Sequence, residues 1–451
     1  MGLTLFYFFM ALFFLVVVHE YGHFQVARWC GVKVLRFSFG FGKIIGRWQD
    51  KQGTEYVWSL FPLGGYVKML DETEGPVEAA EQHQAFNNQS VLVRMMIVFA
   101  GPLFNFIFAF FAFWLVAVMG IRSLAPIIDD VQPQSVAASS GLQSKQELIE
   151  LNGKKIASWR DFQYAMMPLL GSKEVLHLKV KSLQDGLVRQ VAVPLTRWQL
   201  DEKNPDLLKS LGIEPFIPKI PPVVGEVVPD SPAADAGLEL NDRLLSINGQ
   251  PIDDWMFVVD FVKQHPATPV ILKVQRFHKV HTIRLTIGQQ DNEGKTEGFI
   301  GVRSQSIDWP PDLLRVQKQS PLAAVPIAAN QTLEFSAATF KLIGRLISGQ
   351  ISLDTISGPV GIAQGAGDSG RSGLASYLFF LAIVSISLGV LNLLPIPLLD
   401  GGHLLYYTVE LIRRKPLSEA AKSVGFYVGL AFIATMMIIA LTNDISRLTH
   451  L

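Results

Sequence analysis

The sequence predicts a polytopic α-helical membrane protein with four transmembrane helices, two tandem β-rich domains on one side of the membrane and a membrane-associated β-hairpin. Three observations lead there. The 451 residues are 49% hydrophobic with a mean hydropathy of +0.30, more apolar than an ordinary soluble domain. Four apolar stretches approach the ~20 residues that a helix needs to cross ~30 Å of hydrocarbon. Between the second and third of them the chain repeats itself at a fixed offset.

The apolar stretches cover residues 3–27, 95–120, 377–394 and 424–441. They set transmembrane helices at 1–27, 95–120, 376–410 and 424–442. The first lacks a positive leader and a small-residue cleavage site, so it reads as a retained span. Arg28, Lys33, Arg36, Lys43, Arg47, Lys51, Lys68 and Arg94 lie in the first loop, residues 28–94, and Arg413, Arg414, Lys415 and Lys422 lie at or near the loop 411–423. Basic loops stay in the cytoplasm, which puts residues 121–375 and the tail 443–451 outside.

Charge and cysteine narrow the function classes. Lys+Arg and Asp+Glu are equal at 39 each, so there is no global basic field, and no nucleic acid is expected as a partner. Cys30 is the only cysteine, which leaves any metal to histidines and carboxylates.

In the external segment, residues 134–138 (QSVAA) align with 230–234 (DSPAA), Gly141-Leu142 with Gly237-Leu238, Asn152-Gly153 with Asn248-Gly249 and Trp159 with Trp255, each offset by 96 positions (231 − 135, 248 − 152). Each copy reads as short strands between turns, placing domains at 121–220 and 221–307. The run SPAADAGLELNDRLLSINGQPI resembles the permuted PDZ domains of bacterial envelope proteases. The likeness is weaker in the first copy, where Gln146 and Glu147 stand in place of Asp242 and Arg243. A pair of β-rich spacers with no bound peptide is the alternative. Residues 308–375 read as an amphipathic helical segment lying along the membrane surface, followed by a Gly-rich hinge at 357–373.

Between the first two spans, residues 55–69 (EYVWSLFPLGGYVKM) suggest a hairpin through Pro62, Gly64 and Gly65 that is apolar enough to re-enter the membrane. A helix buries its backbone carbonyls. A strand edge carrying Gly64 and Gly65 would bind another chain and hold it extended by strand addition, and an ordinary cytoplasmic hairpin is the alternative.

His19-Glu20-Tyr21-Gly22-His23 matches H-E-x-x-H. Residues four apart on a helix share a face, so His19 and His23 can converge on one zinc ion while Glu20 reaches a water beside it as general base. The motif lies roughly 15 residues, or ~22 Å, along an apolar helix. Ionisable groups cost about 2.5–3.5 kcal/mol each there, so three together call for a function. Two histidines leave catalytic zinc one protein ligand short. Residues 392–402 (NLLPIPLLDGG) supply Asp400, an acid at a point where two prolines break the third span. Its alternative is a helix cap. Asn392 offers an amide either to a substrate carbonyl or to the broken backbone.

HEYGH in the first span, NLLPIPLLDGG in the third, residues 101–105 (GPLFN) in the second and the tandem external modules together resemble the site-2 protease family over essentially the whole chain. The resemblance implies a zinc enzyme of the bacterial inner membrane with its external domains in the periplasm and its site toward the cytoplasm. Its substrates would be single-span membrane proteins held in lipid: an anti-sigma factor receiving its second cut in the sigma-E envelope stress response, and remnant signal peptides. The competing readings are a non-catalytic PDZ membrane scaffold, which has no use for Glu20, and a metal transporter, which calls for ionisable residues in spans two and four.

Overall fold

A computed structural model describes residues 2–73, 75–198, 206–292, 295–305 and 312–449. The chain forms two compact units, residues 1–214 with 315–451, and residues 215–314. The expected domain end at 307 and the tail residues 450–451 lie outside the described residues.

The first unit is built on helices α1 (Gly2–Trp29), α2 (Val91–Met119), α3 (Pro321–Ile347), α4 (Pro359–Arg371), α5 (Leu374–Leu393), α6 (Asp400–Arg413) and α7 (Glu419–Thr449). By length and composition α1, α2, α5 and α7 are able to cross a membrane. Their boundaries follow local chemistry. The Ser90 hydroxyl caps α2 by accepting from the Val93 N–H, and Gly120, with φ 74°, closes it. α5 stops at Leu393 because Pro395 and Pro397 hold the residues before them extended and remove two backbone donors. The chain then turns tightly, with Ile396 N–H donating to the Leu394 carbonyl at 2.7 Å and Leu399 N–H to the Ile396 carbonyl at 3.0 Å. Leu398 takes φ 86° in this turn, a conformation costing on the order of 1–3 kcal/mol for a side-chain-bearing residue. Helix resumes at Asp400.

Packing within this unit uses small residues where backbones meet and aromatics elsewhere. A Cβ at Gly22 of α1 would overlap the Ala100 carbonyl of α2, so the glycine is what lets these helices touch. Phe113 of α2, Phe379, Ile386 and Val390 of α5 and Phe335 of α3 form a second contact, with the Phe113 and Phe335 rings stacked at 5.4 Å.

Two expectations need correction. Residues 55–69 do not close a hairpin on themselves. Strands β1 (Val34–Gln49) and β2 (Glu55–Met69) pair with each other, and the first arm of β1 lies between the two arms of β2: Phe37 is opposite Val67 on one side and Tyr56 on the other. The tight turn is instead at residues 50–54, where Asp50 accepts from the Gln52 and Thr54 N–H groups. The Gly-rich stretch expected as a hinge is mostly helix α4. Its glycines serve close packing, since a Cβ at Gly367 would press on Thr4 and one at Gly370 on the Tyr7 ring of α1. The buried Asp444 carboxylate of α7 accepts from the N–H groups of Gly358, Val360 and Gly361, capping α4.

The repeat is visible as two sheets of one design, one in each unit. In the first, strands Gln146–Leu151, Lys154–Lys155, Val175–Ser182 and Val188–Pro194 are ordered second, first, third, fourth; in the second, Arg243–Ile247, Gln250–Pro251, Pro269–Arg276 and Lys279–Thr286 take the same order. Asn152 and Asn248 turn at φ 47° and 49°, each followed by a glycine at φ 86°. The Asn152 side-chain oxygen accepts from His177 N–H and that of Asn248 from Ile271 N–H, both at 2.8 Å. Leu148, Phe162 and Leu178 in one core fill the places of Leu244, Val258 and Leu272 in the other. The weak likeness of the first copy has a physical cause. In the second copy buried Asp242 accepts from Glu239 N–H and pairs with Arg276. In the first, Gln146 accepts from Gln143 N–H at 3.1 Å with Ser182 opposite, so the acid and its arginine have been exchanged together. Burial pushes the Asp242 carboxyl up, but the Arg276 bond and the Glu239 N–H outweigh burial and hold it below the ordinary carboxylate value.

The first sheet domain is fastened to the helices of its unit. Arg345 of α3 donates to the carbonyls of Pro168 (2.7 Å) and Leu170, and the Tyr164 ring packs on Phe335 and Phe379.

Candidate metal centre

α1 carries His19, Glu20 and His23 on one face. α2 approaches that face at Gly101, where a Cβ would overlap His23 Nε2 and lie 2.8 Å from His19 Cε1. Only glycine leaves the imidazoles room between the helices. The turn after α5 delivers Asp400 to the same place, and one ligand atom from each of His19, His23 and Asp400 lies within 4.8 Å of the others.

The atoms facing one another are His19 Nε2, His23 Nε2 and Asp400 Oδ2. The separations are 3.1 Å from His19 to Asp400, 3.5 Å from His23 to Asp400 and 3.3 Å between the imidazoles. His23 Nδ1 is 2.8 Å from the Ile97 carbonyl of α2. A carbonyl only accepts, so the neutral His23 ring carries its proton on Nδ1 and turns a lone pair from Nε2 toward the cluster. Asp400 Oδ2 is buried and accepts no hydrogen bond from any described residue. The His23 Nε2 lone pair thus faces the Asp400 carboxylate, and electron pairs so placed are accommodated by a cation between them. An ion about 2.05 Å from each atom would see them at roughly 100–117° to one another, close to tetrahedral, given those 3.1–3.5 Å spacings. The residues present fit zinc.

Asp400 is the first residue of α6, and the N-cap position, Leu399, makes no side-chain capping bond. The Asp400 carboxylate turns to the two imidazoles rather than to the backbone of its own helix. Asn392, near the end of α5, lies at the rim of the cluster with its amide nitrogen 3.5 Å from His19 Nε2. Glu20 stands beside the ligand atoms, close enough for its charge to couple to both histidines and to Asp400, with the Val67 backbone of β2 nearby. Gly65 lies against Glu20: a Cβ there would be 3.3 Å from Glu20 Cγ and 2.7 Å from the Ser38 carbonyl. Gly64 is one step away and faces the Phe41 ring. His19, Glu20, His23, Asp400, Asn392 and Gly65 are thus brought together, and Gly64 flanks them.

Gly101, Ile97, Asn105 and Val67 also belong to this neighbourhood and were not assigned roles from sequence. GPLFN was visible as a motif, but nothing in it says that its glycine meets two imidazoles or that its asparagine lies 3.0 Å from His19 Nδ1.

Known proteins resemble the chain over nearly its whole length. The model of peptidase family M50 matches residues 7–436. Protease RseP of Yersinia pestis is 41% identical over 442 residues, covering 98% of each chain. Regulator of sigma-E protease RseP of Escherichia coli strain K12 is 39% identical over 441 residues, again 98% of each. A putative zinc metalloprotease of Vibrio cholerae is 37% identical over 443 residues, at the same coverage.

Proposed function

We propose, from the premise that the chain belongs to peptidase family M50, that it cuts membrane-embedded segments of single-span proteins at a centre formed by His19, His23, Asp400 and Glu20. It is a zinc metalloprotease acting within the membrane, with a role in the sigma-E pathway. The observation that carries the site assignment is the convergence of two imidazole nitrogens and one carboxylate oxygen beside Glu20, with no hydrogen-bond donor to Asp400 Oδ2.

His19, His23 and Asp400 would hold zinc, which when bound supplies a Lewis acid for the scissile carbonyl and lowers the pKa of water. Glu20 takes the proton of the attacking water and returns it to the leaving amine as the peptide bond breaks. The arm of β2 at residues 65–69 pairs with β1 along one edge only, and among the described residues no strand covers its other edge. An extended substrate adding there would run past Glu20 with its carbonyls exposed, and the absence of a side chain at Gly65 lets Glu20 and the Ser38 carbonyl pack close to this strand. Asn392, at the rim of the cluster beside His19, supplies an amide donor for the carbonyl oxygen as charge develops on it.

The substrates in this reading are an anti-sigma factor already shortened by another protease, and remnant signal peptides. The chain would reside in the bacterial inner membrane. The basic loops at 28–94 and 411–423 support a cytoplasm-facing site, with the two repeat domains in the periplasm as PDZ modules. A non-catalytic scaffold would have no use for Glu20 between the two histidines.

The test is cleavage of a single-span substrate by the purified full chain in lipid bilayers. Chelation with 1,10-phenanthroline should abolish cleavage and stoichiometric zinc should restore it. Undiminished cleavage by protein shown to be metal-free would refute the reading.

A further inference from the structure

We infer that Asn105 is the positioning residue that holds His19 in its metal-binding tautomer. Asn105 is fully buried on α2, one turn beyond Gly101, and its side-chain amide reaches His19 Nδ1 at 3.0 Å. The two histidines are therefore held in parallel fashion, each with Nε2 in the cluster and Nδ1 against α2. The partner of His23 is the Ile97 carbonyl, which can only accept.

The partner of His19 is an amide, which can present either end. With its nitrogen toward the ring, the amide donates to Nδ1, the ring proton sits on Nε2, and His19 cannot offer that nitrogen to a cation. With its oxygen toward the ring, Asn105 accepts from Nδ1–H and Nε2 turns its lone pair inward. The other end of the amide does not decide between these, because its outer atom, here Oδ1, has no hydrogen-bond partner. The choice rests with His19. A cation held at Nε2 requires the proton on Nδ1 and so requires Oδ1 to face the ring. Asn105 also cannot drift away. Ser385 of α5 donates to its main-chain carbonyl at 2.9 Å, and Gly389 of the same helix approaches its Cβ so closely that an added methyl would sit 3.3 Å away.

Removing an outer partner of a metal-bound histidine lowers metal affinity about 10–100-fold. The full chain in detergent is titrated with zinc against a competing chelator. Asn105→Leu, which keeps the volume and removes the acceptor, should weaken zinc about 10–100-fold. Asn105→Asp, which presents an acceptor whichever oxygen faces the ring, should bind zinc at least as tightly as the native chain. Ser385→Ala disturbs the same packing without touching the amide and should bind as the native chain does. A native affinity for Asn105→Leu, equal weakening in Asn105→Asp, or equal weakening in Ser385→Ala would each overturn the inference. The inference rests on the zinc reading, and the two fail separately: a native chain that binds no zinc removes that reading, whereas native binding that Asn105→Leu leaves intact removes only the role of Asn105.

Discussion

Glu20→Gln should leave zinc bound at the native stoichiometry and slow peptide cleavage by at least ~10²–10⁴-fold, the contribution of a positioned general base. The substitution keeps the shape of the side chain. What it lacks is the ability to take a proton from the attacking water and pass it to the leaving amine. Glu20 is not among the three residues whose ligand atoms converge, so metal content should not follow activity down. Zinc analysis and single-turnover cleavage of a membrane-embedded substrate on one preparation check both halves. Cleavage within tenfold of native would remove Glu20 from the chemistry. Loss of zinc together with activity would make it a ligand.

Asp400→Asn should behave in the opposite way, losing metal and activity together. An amide oxygen is a poor zinc ligand, and the change removes the only negative charge of the three-residue cluster. We expect zinc affinity to fall more than ~100-fold, beyond what loss of an outer partner costs. The helix should survive, because Asp400 makes no capping bond that the substitution would break. Competition with a chelator measures the affinity, and circular dichroism confirms the helix. Native zinc occupancy with lost cleavage would reassign Asp400 to orienting the substrate.

The candidate site was legible wherever its chemistry was local. The i, i+4 histidines with Glu20 are one helical turn, and Asp400 announces itself as an acid behind two helix-breaking prolines in an apolar segment. The repeat was legible from the 96-residue offset, and its two sheets share one strand order. What could not be read depended on partners distant in sequence. Residues 34–39 insert between the arms of β2 because Phe37 packs with Phe24 and Tyr56, a contact that no alternation pattern within residues 55–69 encodes. The glycines of α4 read as a hinge because glycine destabilises a helix in isolation. Their use appears only when Thr4 and Tyr7 are seen against them. Gly101 and Asn105 belong to the same class, one making room for imidazoles and the other meeting His19, 86 residues earlier in the chain.

The mechanism depends on one zinc ion held by His19, His23 and Asp400. X-ray absorption at the zinc edge on the full chain, loaded with one equivalent, tests it most directly. A shell of nitrogen and oxygen only is expected, at about 2.0–2.1 Å, with the outer-shell scattering of two imidazoles. Cys30 should contribute nothing, and His19→Ala should remove one imidazole's share. A sulfur scatterer near 2.3 Å, or a native spectrum lacking imidazole scattering, would contradict it.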